Sequence, residues 1–443
     1  MRDAQMKAAQ EIARELSQAG FQVYFAGGCV RDALLDRVTK DIDIATSATP
    51  SQVEQLFEGH TVSVGKSFGV ILVQRDGFSF DVATFRTDGN YSDGRHPEEV
   101  CYSTPEHDAQ RRDFTINGLF REPESGKVID FVGGVADMDA RVIRAIGDAE
   151  TRFREDHLRM LRAVRFASVL EFRLDDDTRD AIVHHAEWIN RVSAERIATE
   201  LVRMVCESPR PSVALNLLLE TGLLAHILPE VVALRGTEQP PKYHPEGDVW
   251  THTCLMLDDL PAPRDPDLAL GVLFHDIGKP ATFRLAPDDE TGGQRIRFPS
   301  HAPVGAKMTR DILTRLKFSS ERIEAVTSLV HEHMHFVDAQ KMRRATLRRF
   351  LGVKLFPKTL ELVRLDIKFS NGDFSTWDFL KSQYEAFTDE PVLPEPKIHG
   401  RDLLALGIPP GPKMGTLLRK LYDAQLEGRL DEELGKICTQ KQR

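Results

Sequence analysis

The sequence predicts a small mixed α/β domain built around a sheet, followed by an almost wholly helical remainder. Three observations carry that expectation. Strand-like runs, apolar or alternating and broken by glycines, are confined to about the first 150 residues. From residue 151 onward apolar positions recur at helical spacing, as at Leu158, Leu161, Val164 and Ala167, and again from Ile197 to Leu224. Stretches rich in proline or glycine, Arg235 to Pro245 and Glu390 to Lys397, then divide the helical part. The expected domains are residues 1–150, 151–235, 236–385 and 386–443.

Each early element has a local cause. Met6, Ala9, Ile12 and Leu16 share one helical face and Gly20 supplies a stop, so the chain opens with an amphipathic helix. Phe21 to Ala26 reads as a strand, Gly27-Gly28 breaks it, and Cys29 to Asp36 resumes with helical character. Asp41-Ile42-Asp43-Ile44 alternates with period two. Thr49 as N-cap and Pro50 in the first turn open a helix through Phe57. Gly69 to Gln74 and Phe78 to Phe85 are further strands.

Composition narrows the function classes. The 443 residues suit about three domains, and 41% hydrophobic with 28% charged residues excludes collagen-like, low-complexity and disordered chains. The longest apolar stretches, such as Leu268 to Phe274, are too short to cross a bilayer, and no charged start plus apolar run marks a secretion signal, so no membrane partner and a cytoplasmic location are expected. Five cysteines, widely spaced and without a C-x-x-C pair, read as reduced core residues. A net charge of −10 argues against coating nucleic acid by bulk charge. Locally the sign reverses: six arginines face three acids between Arg152 and Arg173, and Lys341 to Phe350 holds five basic residues and no acid. Those segments suit phosphate backbones.

Two carboxylates spaced like Asp41 and Asp43 lie side by side on one face of a strand and repel unless a cation sits between them. Oxygen-only ligands suit Mg²⁺, which takes its remaining ligands from water and substrate phosphates. Gly27 and Gly28 let backbone approach a triphosphate at a helix start, with Arg31 or Lys40 adding charge. On the predicted helix, Asp156 and Arg159 are three apart and share a face. A carboxylate that only accepts and a guanidinium that only donates match the edges of cytosine and adenine, whereas uracil and guanine put a carbonyl where the amine should be.

With Gly27-Gly28-Cys29-Val30-Arg31-Asp32 upstream of Asp41-Ile42-Asp43, the chain resembles the class II tRNA nucleotidyltransferases, the family of CCA-adding enzymes and bacterial poly(A) polymerases. The resemblance covers roughly the first 200 residues. It implies an α/β nucleotidyltransferase head with a polymerase-β-like mixed sheet, followed by an all-α neck, body, HD domain and tail. Asp81 takes the place of a further acidic residue beside the catalytic Asp41 and Asp43. Arg86 through Tyr91, Asp93, Arg95, His96 and Pro97 is similar to a loop tied to addition of the terminal A. Arg111-Arg112-Asp113-Phe114-Thr115-Ile116-Asn117 resembles R-R-D-x-x-x-N, which assigns Arg112, Asp113 and Asn117 to the nucleotide's sugar and phosphates. Asp130 to Arg144 resembles a segment coupling head movement to the neck. Glu155-Asp156-His157-Leu158-Arg159 matches E-D-x-x-R, and Arg162 and Arg165 join Asp156 and Arg159 as nucleotide-binding residues. Glu195-Arg196 and Glu200 resemble a later neck motif. The implied reaction is addition of C and A from CTP and ATP to the acceptor arm of tRNA with Mg²⁺.

A second constellation lies in the histidine-rich block. His252, His275-Asp276 within Phe274-His275-Asp276-Ile277-Gly278-Lys279, His301, His331 or preferably His333, and Asp366 resemble the H…HD…H…H…D order of HD-domain phosphohydrolases. Imidazoles and carboxylates of this kind hold one or two divalent metals that turn water into a nucleophile. The resemblance implies a second divalent ion, Mn²⁺, Ni²⁺ or Co²⁺, and phosphatase or 2′,3′-cyclic phosphodiesterase activity.

Rival readings have sequence discriminants. A poly(A) polymerase of the family carries a basic pair between the G and the F of the strand before the segment that reads Phe80-Asp81-Val82-Ala83-Thr84-Phe85-Arg86 here, and Val64-Gly65-Lys66-Ser67-Phe68-Gly69 has only one basic residue there. The segment Arg86 to Pro97 argues against a CC-only enzyme, and an A-adding enzyme stays open. From other classes come an HD phosphohydrolase with an inherited head and a non-catalytic RNA-binding protein. Whether the chain acts as monomer or dimer is open.

Overall fold

The computed structural model describes residues 2–39, 41–66, 69–89, 100–288, 292–387 and 391–441. The chain divides into two compact units, Met1–Val232 and Ala233–Arg443. In the first, an opening helix, Arg2–Gln18, buries Ala9, Ile12, Ala13 and Leu16. The sheet strands are β1 (Val23–Ala26), β2 (Asp43–Thr46), β3 (Thr61–Gly65), β4 (Val70–Arg75) and β5 (Phe78–Thr84). A separate ribbon, β6 (Arg86–Asp88) with β7 (Val100–Tyr102), follows, and β8 (Phe120–Arg121) and β9 (Val128–Ile129) return to the main sheet. Its order is β3-β4-β5-β2-β1-β8-β9. Only β2 and β5 pair in parallel, and the others pair antiparallel. Ala26, Ala45, Phe85, Ala109 and Phe120 form a buried cluster with Tyr24 against it.

This topology places the acids. Ile44 pairs with Val82, so Asp43, at the start of β2, and Asp81, midway along β5, stand one residue earlier at the same level of adjacent parallel strands. Asp41 differs from expectation: the strand begins at Asp43, not Asp41. Its last partner on β1 is Ala26, and Gly27, at φ 69°, turns β1 away and leaves Asp41 and Ile42 no strand to pair with.

Helices Ala149–Glu155, Leu158–Leu170 and Ala194–Glu207 follow the sheet. The expected single helix through Asp156 and Arg159 is broken: Asp156 leaves helical geometry at φ −143° and its Oδ1 accepts from the Leu158 N–H. A short aspartate that serves the next helix's free N–H groups ends the preceding one.

The second unit is helical apart from a hairpin, Arg284–Pro287 with Gln294–Arg297, that the sequence pattern did not suggest. Helices Val249–Asp258, Pro266–Phe274, His301–Arg315, Ser320–Glu332 and Phe356–Lys368 surround Leu270, Leu273, Phe274, Leu329, Val330 and Leu362. Three further helices, Gly400–Ala405, Pro412–Leu426 and Leu430–Lys441, close on Leu403, Met414 and Leu421. Among the described residues no helix is long and apolar enough to cross a membrane. Of the cysteines, Cys29 and Cys254 are buried, but Cys101 is exposed and Cys206 half-buried, so the core reading holds only in part.

Gly278 marks a close approach: a Cβ there would lie 2.2 Å from the His301 carbonyl oxygen and 2.7 Å from the Gly305 nitrogen. Backbone cannot yield as a side-chain tip does, so Gly278→Ala should destabilise the second unit by about 1–3 kcal/mol. Urea unfolding checks it, and an unchanged midpoint would refute the packing argument.

Candidate functional site

A cleft of about 770 Å³ opens in the first unit, lined by Gly27, Gly28, Arg31, Asp41, Asp43, Arg112, Asp113, Asn117, Asp156, Arg159, Arg162 and Arg165. Asp81, also expected in the nucleotide site, does not line it. It stands beside Asp43 on β5, and both acids respond to Asp41. Lys40 and the loop residues Tyr91, Asp93, Arg95, His96 and Pro97 lie outside the described residues.

Asp43 is half-buried, and burial with the charges of Asp81 and Asp41 pushes its carboxyl up to about 6 against the pull of Arg112. Burial and Asp41 raise Asp81 as well. Among the described residues no side chain hydrogen-bonds any of these three carboxylates. Clustered oxygens whose charge is unfavourable and unanswered fit a hard divalent cation. Gly27 keeps their surroundings open, since a Cβ there would come within 2.8 Å of Arg112 Nη1 and 3.8 Å of Asp43 Oδ2.

The rest of the cleft is wired through Asp113. Its Oδ2 accepts from Arg162 Nε and Nη2 at 2.8 and 2.5 Å. Its Oδ1 accepts from Asn117 Nδ2 at 3.0 Å and the Phe114 N–H at 2.8 Å. Asn117 Oδ1 in turn takes Arg31 Nη1 at 2.7 Å, and Arg31 pairs with Asp32. Burial would push Asp113 up, but the Arg162 charge and the Asn117 hydrogen bond hold it well below the usual carboxylate range. Arg112 is fixed by bidentate bonds to buried Asp108 and by the Asn117 carbonyl. Buried Arg165 pairs with buried Glu200 at 2.5 Å, and burial pulls its guanidinium down to about 10. The guanidinium carbons of Arg165, Arg31 and Arg162 lie 4.1, 5.1 and 5.3 Å from the Phe166 ring centroid. Phe166 was not anticipated. It reads as one more apolar residue of a buried helix.

Asp156 and Arg159 share the cleft but not a helix. Asp156 Oδ2 accepts from Arg196 at 2.7 Å, whereas Arg159 pairs with Glu155 at 2.5 Å and donates to the Arg152 and Arg111 carbonyls. In the segment expected to couple head and neck, Asp137 accepts from Thr115 Oγ1 and Arg144 Nε.

In the second unit all six expected ligands converge. His252 Nε2 lies 3.1 Å from Asp366 Oδ1, and His275 Nε2 lies 3.1 Å from Asp276 Oδ2. Asp276 Oδ1 is 3.5 Å from His301 Nε2 and 3.9 Å from His333 Nε2. Two ligand groups, His252–His275–Asp276 and Asp276–His301–His333, thus share Asp276. The outer ring nitrogens are fixed: His275, His301 and His333 reach the Val272, Phe298 and Val330 carbonyls through Nδ1. A carbonyl only accepts, so each Nδ1 carries the proton and each Nε2 presents a lone pair inward. Burial keeps His333 neutral, pulling it down to about 3. His275 Nε2 is buried without a hydrogen-bond partner, and Asp276 Oδ2 beside it has the Lys279 ammonium at 2.6 Å, so a lone pair aimed inward among carboxylates is left for one or two divalent ions. His331 is excluded from this cluster: its side chain is 45% exposed.

Glu246 was missed. Its Oε1 accepts from His252 Nδ1 at 2.7 Å and His244 Nδ1 at 2.9 Å, but a lone glutamate six residues ahead of a histidine carries no periodic signal. The basic segment Lys341 to Arg349 is largely engaged. Arg348 donates to the Val392 and Pro391 carbonyls, Arg349 pairs with Asp423 and Lys341 with Asp338. Among the described residues no ion pair or side-chain hydrogen bond engages Arg343 or Arg344.

Asp113 is charged at lower pH in the folded than in the unfolded chain. Its stabilisation is therefore present above its ordinary range and lost as pH falls, between about pH 5 and pH 2. Asp113→Asn should lower stability at neutral pH by about 1–3 kcal/mol and flatten the acid limb. Urea midpoints across that range test both, and a parallel pH profile in the variant would contradict the assignment.

A poly A polymerase head domain matches residues 23–144, a probable RNA and SrmB-binding site of polymerase A residues 171–234, and an HD domain residues 247–366. The CCA-adding enzyme of Lactobacillus gasseri is 32% identical over 435 residues, 95% of this chain and 93% of that enzyme. The Geobacillus kaustophilus CCA-adding enzyme is 45% identical over 217 residues, so the match spans 49% of this chain and 53% of that enzyme. The crystal structure of the Bacillus stearothermophilus CCA-adding enzyme in complex with CTP has a TM-score of 0.75 at 27% identity, covering 98% of each chain. A head, an RNA-binding segment and an HD domain in that order, with full-length likeness to such a relative, make this chain a member of the class II CCA-adding enzyme family of tRNA nucleotidyltransferases.

Proposed function

We propose that the chain adds C and A from CTP and ATP to the acceptor end of tRNA in the cytoplasm. The observation that carries this reading is one cleft in which Asp41 and Asp43 share walls with Asp156, Arg159 and nine arginines in all. Asp41, Asp43 and Asp81 would hold Mg²⁺, which when bound lowers the barrier to attack by the RNA 3′-hydroxyl and offsets charge on the departing pyrophosphate. Gly27 and Gly28 admit the triphosphate, and Arg31 and Arg112, already oriented by Asn117 and Asp108, meet its phosphates. Arg162 and Asn117, locked onto Asp113, position the sugar. Asp156 retains lone pairs beyond those taken by Arg196 and Leu158, so it still accepts an exocyclic amine while Arg159 donates to the neighbouring acceptor. Arg343 and Arg344 would contact the RNA backbone, which carries charge but no sequence.

A second activity is supported by the convergence of His252, His275, Asp276, His301 and His333 in two groups that share Asp276, with His275 Nε2 buried and without a hydrogen-bond partner. The HD cluster would hold Mn²⁺, Ni²⁺ or Co²⁺, supplying an activated water for hydrolysis of phosphoesters such as 2′,3′-cyclic phosphates. Lys279, held by Gln239 and Asp276, borders the adjoining cleft of about 440 Å³ and faces an anionic substrate there.

Separate variants divide the two chemistries. With tRNAs ending before CCA, after C and after CC, Asp41→Ala or Asp43→Ala should lower incorporation on the order of 10²–10³-fold. Near wild-type incorporation would refute the metal assignment. His275→Ala should abolish the chelator-sensitive hydrolysis of 2′,3′-cyclic AMP, in which water opens the ring to an adenosine 2′- or 3′-monophosphate, while leaving incorporation intact, and unchanged hydrolysis would remove the HD centre from consideration.

A further inference from the structure

Outside both clefts, the turn that delivers His333 carries a second group of metal-type side chains on its opposite side. His331 and Glu332 end the helix Ser320–Glu332, and His335 begins the 3₁₀ turn His335–Lys341. Ligand atoms of these three all lie within 4.8 Å of one another. The two imidazoles meet at a centroid distance of 5.4 Å and 88°. Both Nδ1 atoms converge on one carboxylate: His331 reaches Glu332 Oε1 at 2.9 Å, and His335 contacts Oε2. Among the described residues no lysine or arginine pairs with Glu332, so the imidazoles are its partners. His331 and His335 are about half exposed, which leaves the group open to solvent.

We infer that His331, Glu332 and His335 form a surface site for a borderline divalent transition metal, Zn²⁺, Ni²⁺ or Cu²⁺, distinct from the HD centre. Two imidazoles one helical turn apart and a carboxylate between them supply two nitrogens and an oxygen, with water completing the shell. That donor set disfavours Mg²⁺ and Ca²⁺, which prefer oxygen alone. The bland alternative is a glutamate hydrogen-bonded to two surface histidines, worth under about 1 kcal/mol and indifferent to metal. The site's position gives it a consequence. Met334 and Phe336 of the same turn line the HD cleft, while His331 and His335 are about half exposed and do not line it. An ion held outside clamps the backbone that presents His333 inside.

Equilibrium dialysis of the full-length chain against Ni²⁺, with bound metal counted per chain, tests the inference. His331→Gln/His335→Gln should bind one ion fewer than wild type, with unchanged circular dichroism and unchanged tRNA nucleotide addition. The same difference should persist in a His275→Ala/Asp276→Ala background, so failure of the HD centre to take metal leaves the comparison intact. Cu²⁺ bound to that background should show nitrogen couplings in its electron paramagnetic resonance spectrum, and these should vanish when His331 and His335 are also replaced. Equal stoichiometry with and without the two histidines, in either background, would overturn the site.

Discussion

The geometry of the cleft in the first unit depends on the pair of hydrogen bonds that Arg162 donates to Asp113 Oδ2. Asp113 belongs to the segment that returns to the sheet, Arg162 to the helix Leu158–Leu170, so a single carboxylate fixes how the acid-bearing strands and the arginine-bearing helix face one another. Through Asn117 the same carboxylate orients Arg31 at the glycine turn. A charged group buried with several partners is costly to disturb, because removing any one leaves the others desolvated and unmatched. The cleft is thus built before a nucleotide arrives, which spares the ligand the entropy of ordering it.

The histidine centre uses a different means to the same end. There, backbone carbonyls fix which ring nitrogen carries the proton, and Glu246 does so for His252. The Val272 and Val330 carbonyls belong to helices and that of Phe298 to the turn ahead of His301–Arg315, and the contact of Gly278 with the His301 segment shows how little slack that packing has.

What the sequence revealed and concealed follows from the range of each interaction. The sheet, the leading helix and the order of the domains were legible because periodicity and turn residues are local. That Asp41, Asp43 and Asp81 lie near one another, and that His252, His275, Asp276, His301, His333 and Asp366 converge, could be expected from residue type and order, which need no knowledge of the fold. The choice of His333 over His331 agrees with their burial, one turned into the core and the other out. The helix break at Asp156 was hidden, since an acid three residues before an arginine also suits an unbroken helix. Partners distant in sequence were hidden too: Arg196 for Asp156, Asp113 for Arg162, and the Pro391 and Val392 carbonyls that occupy Arg348. Lys341 to Phe350 looked like a docking stripe because composition cannot tell a spent charge from an available one.

The crowding of three guanidiniums around Phe166 has its own outcome. Each of the three has its own carboxylate, Arg165 with Glu200, Arg162 with Asp113 and Arg31 with Asp32, so the ring stands among ion pairs and not among free cations. An incoming polyanion therefore competes with carboxylates already in place, and the attraction left over comes from the excess of arginines along the whole cleft. That attraction weakens as mobile ions thicken around the cleft, which ties retention of any anionic ligand to the salinity of the surroundings.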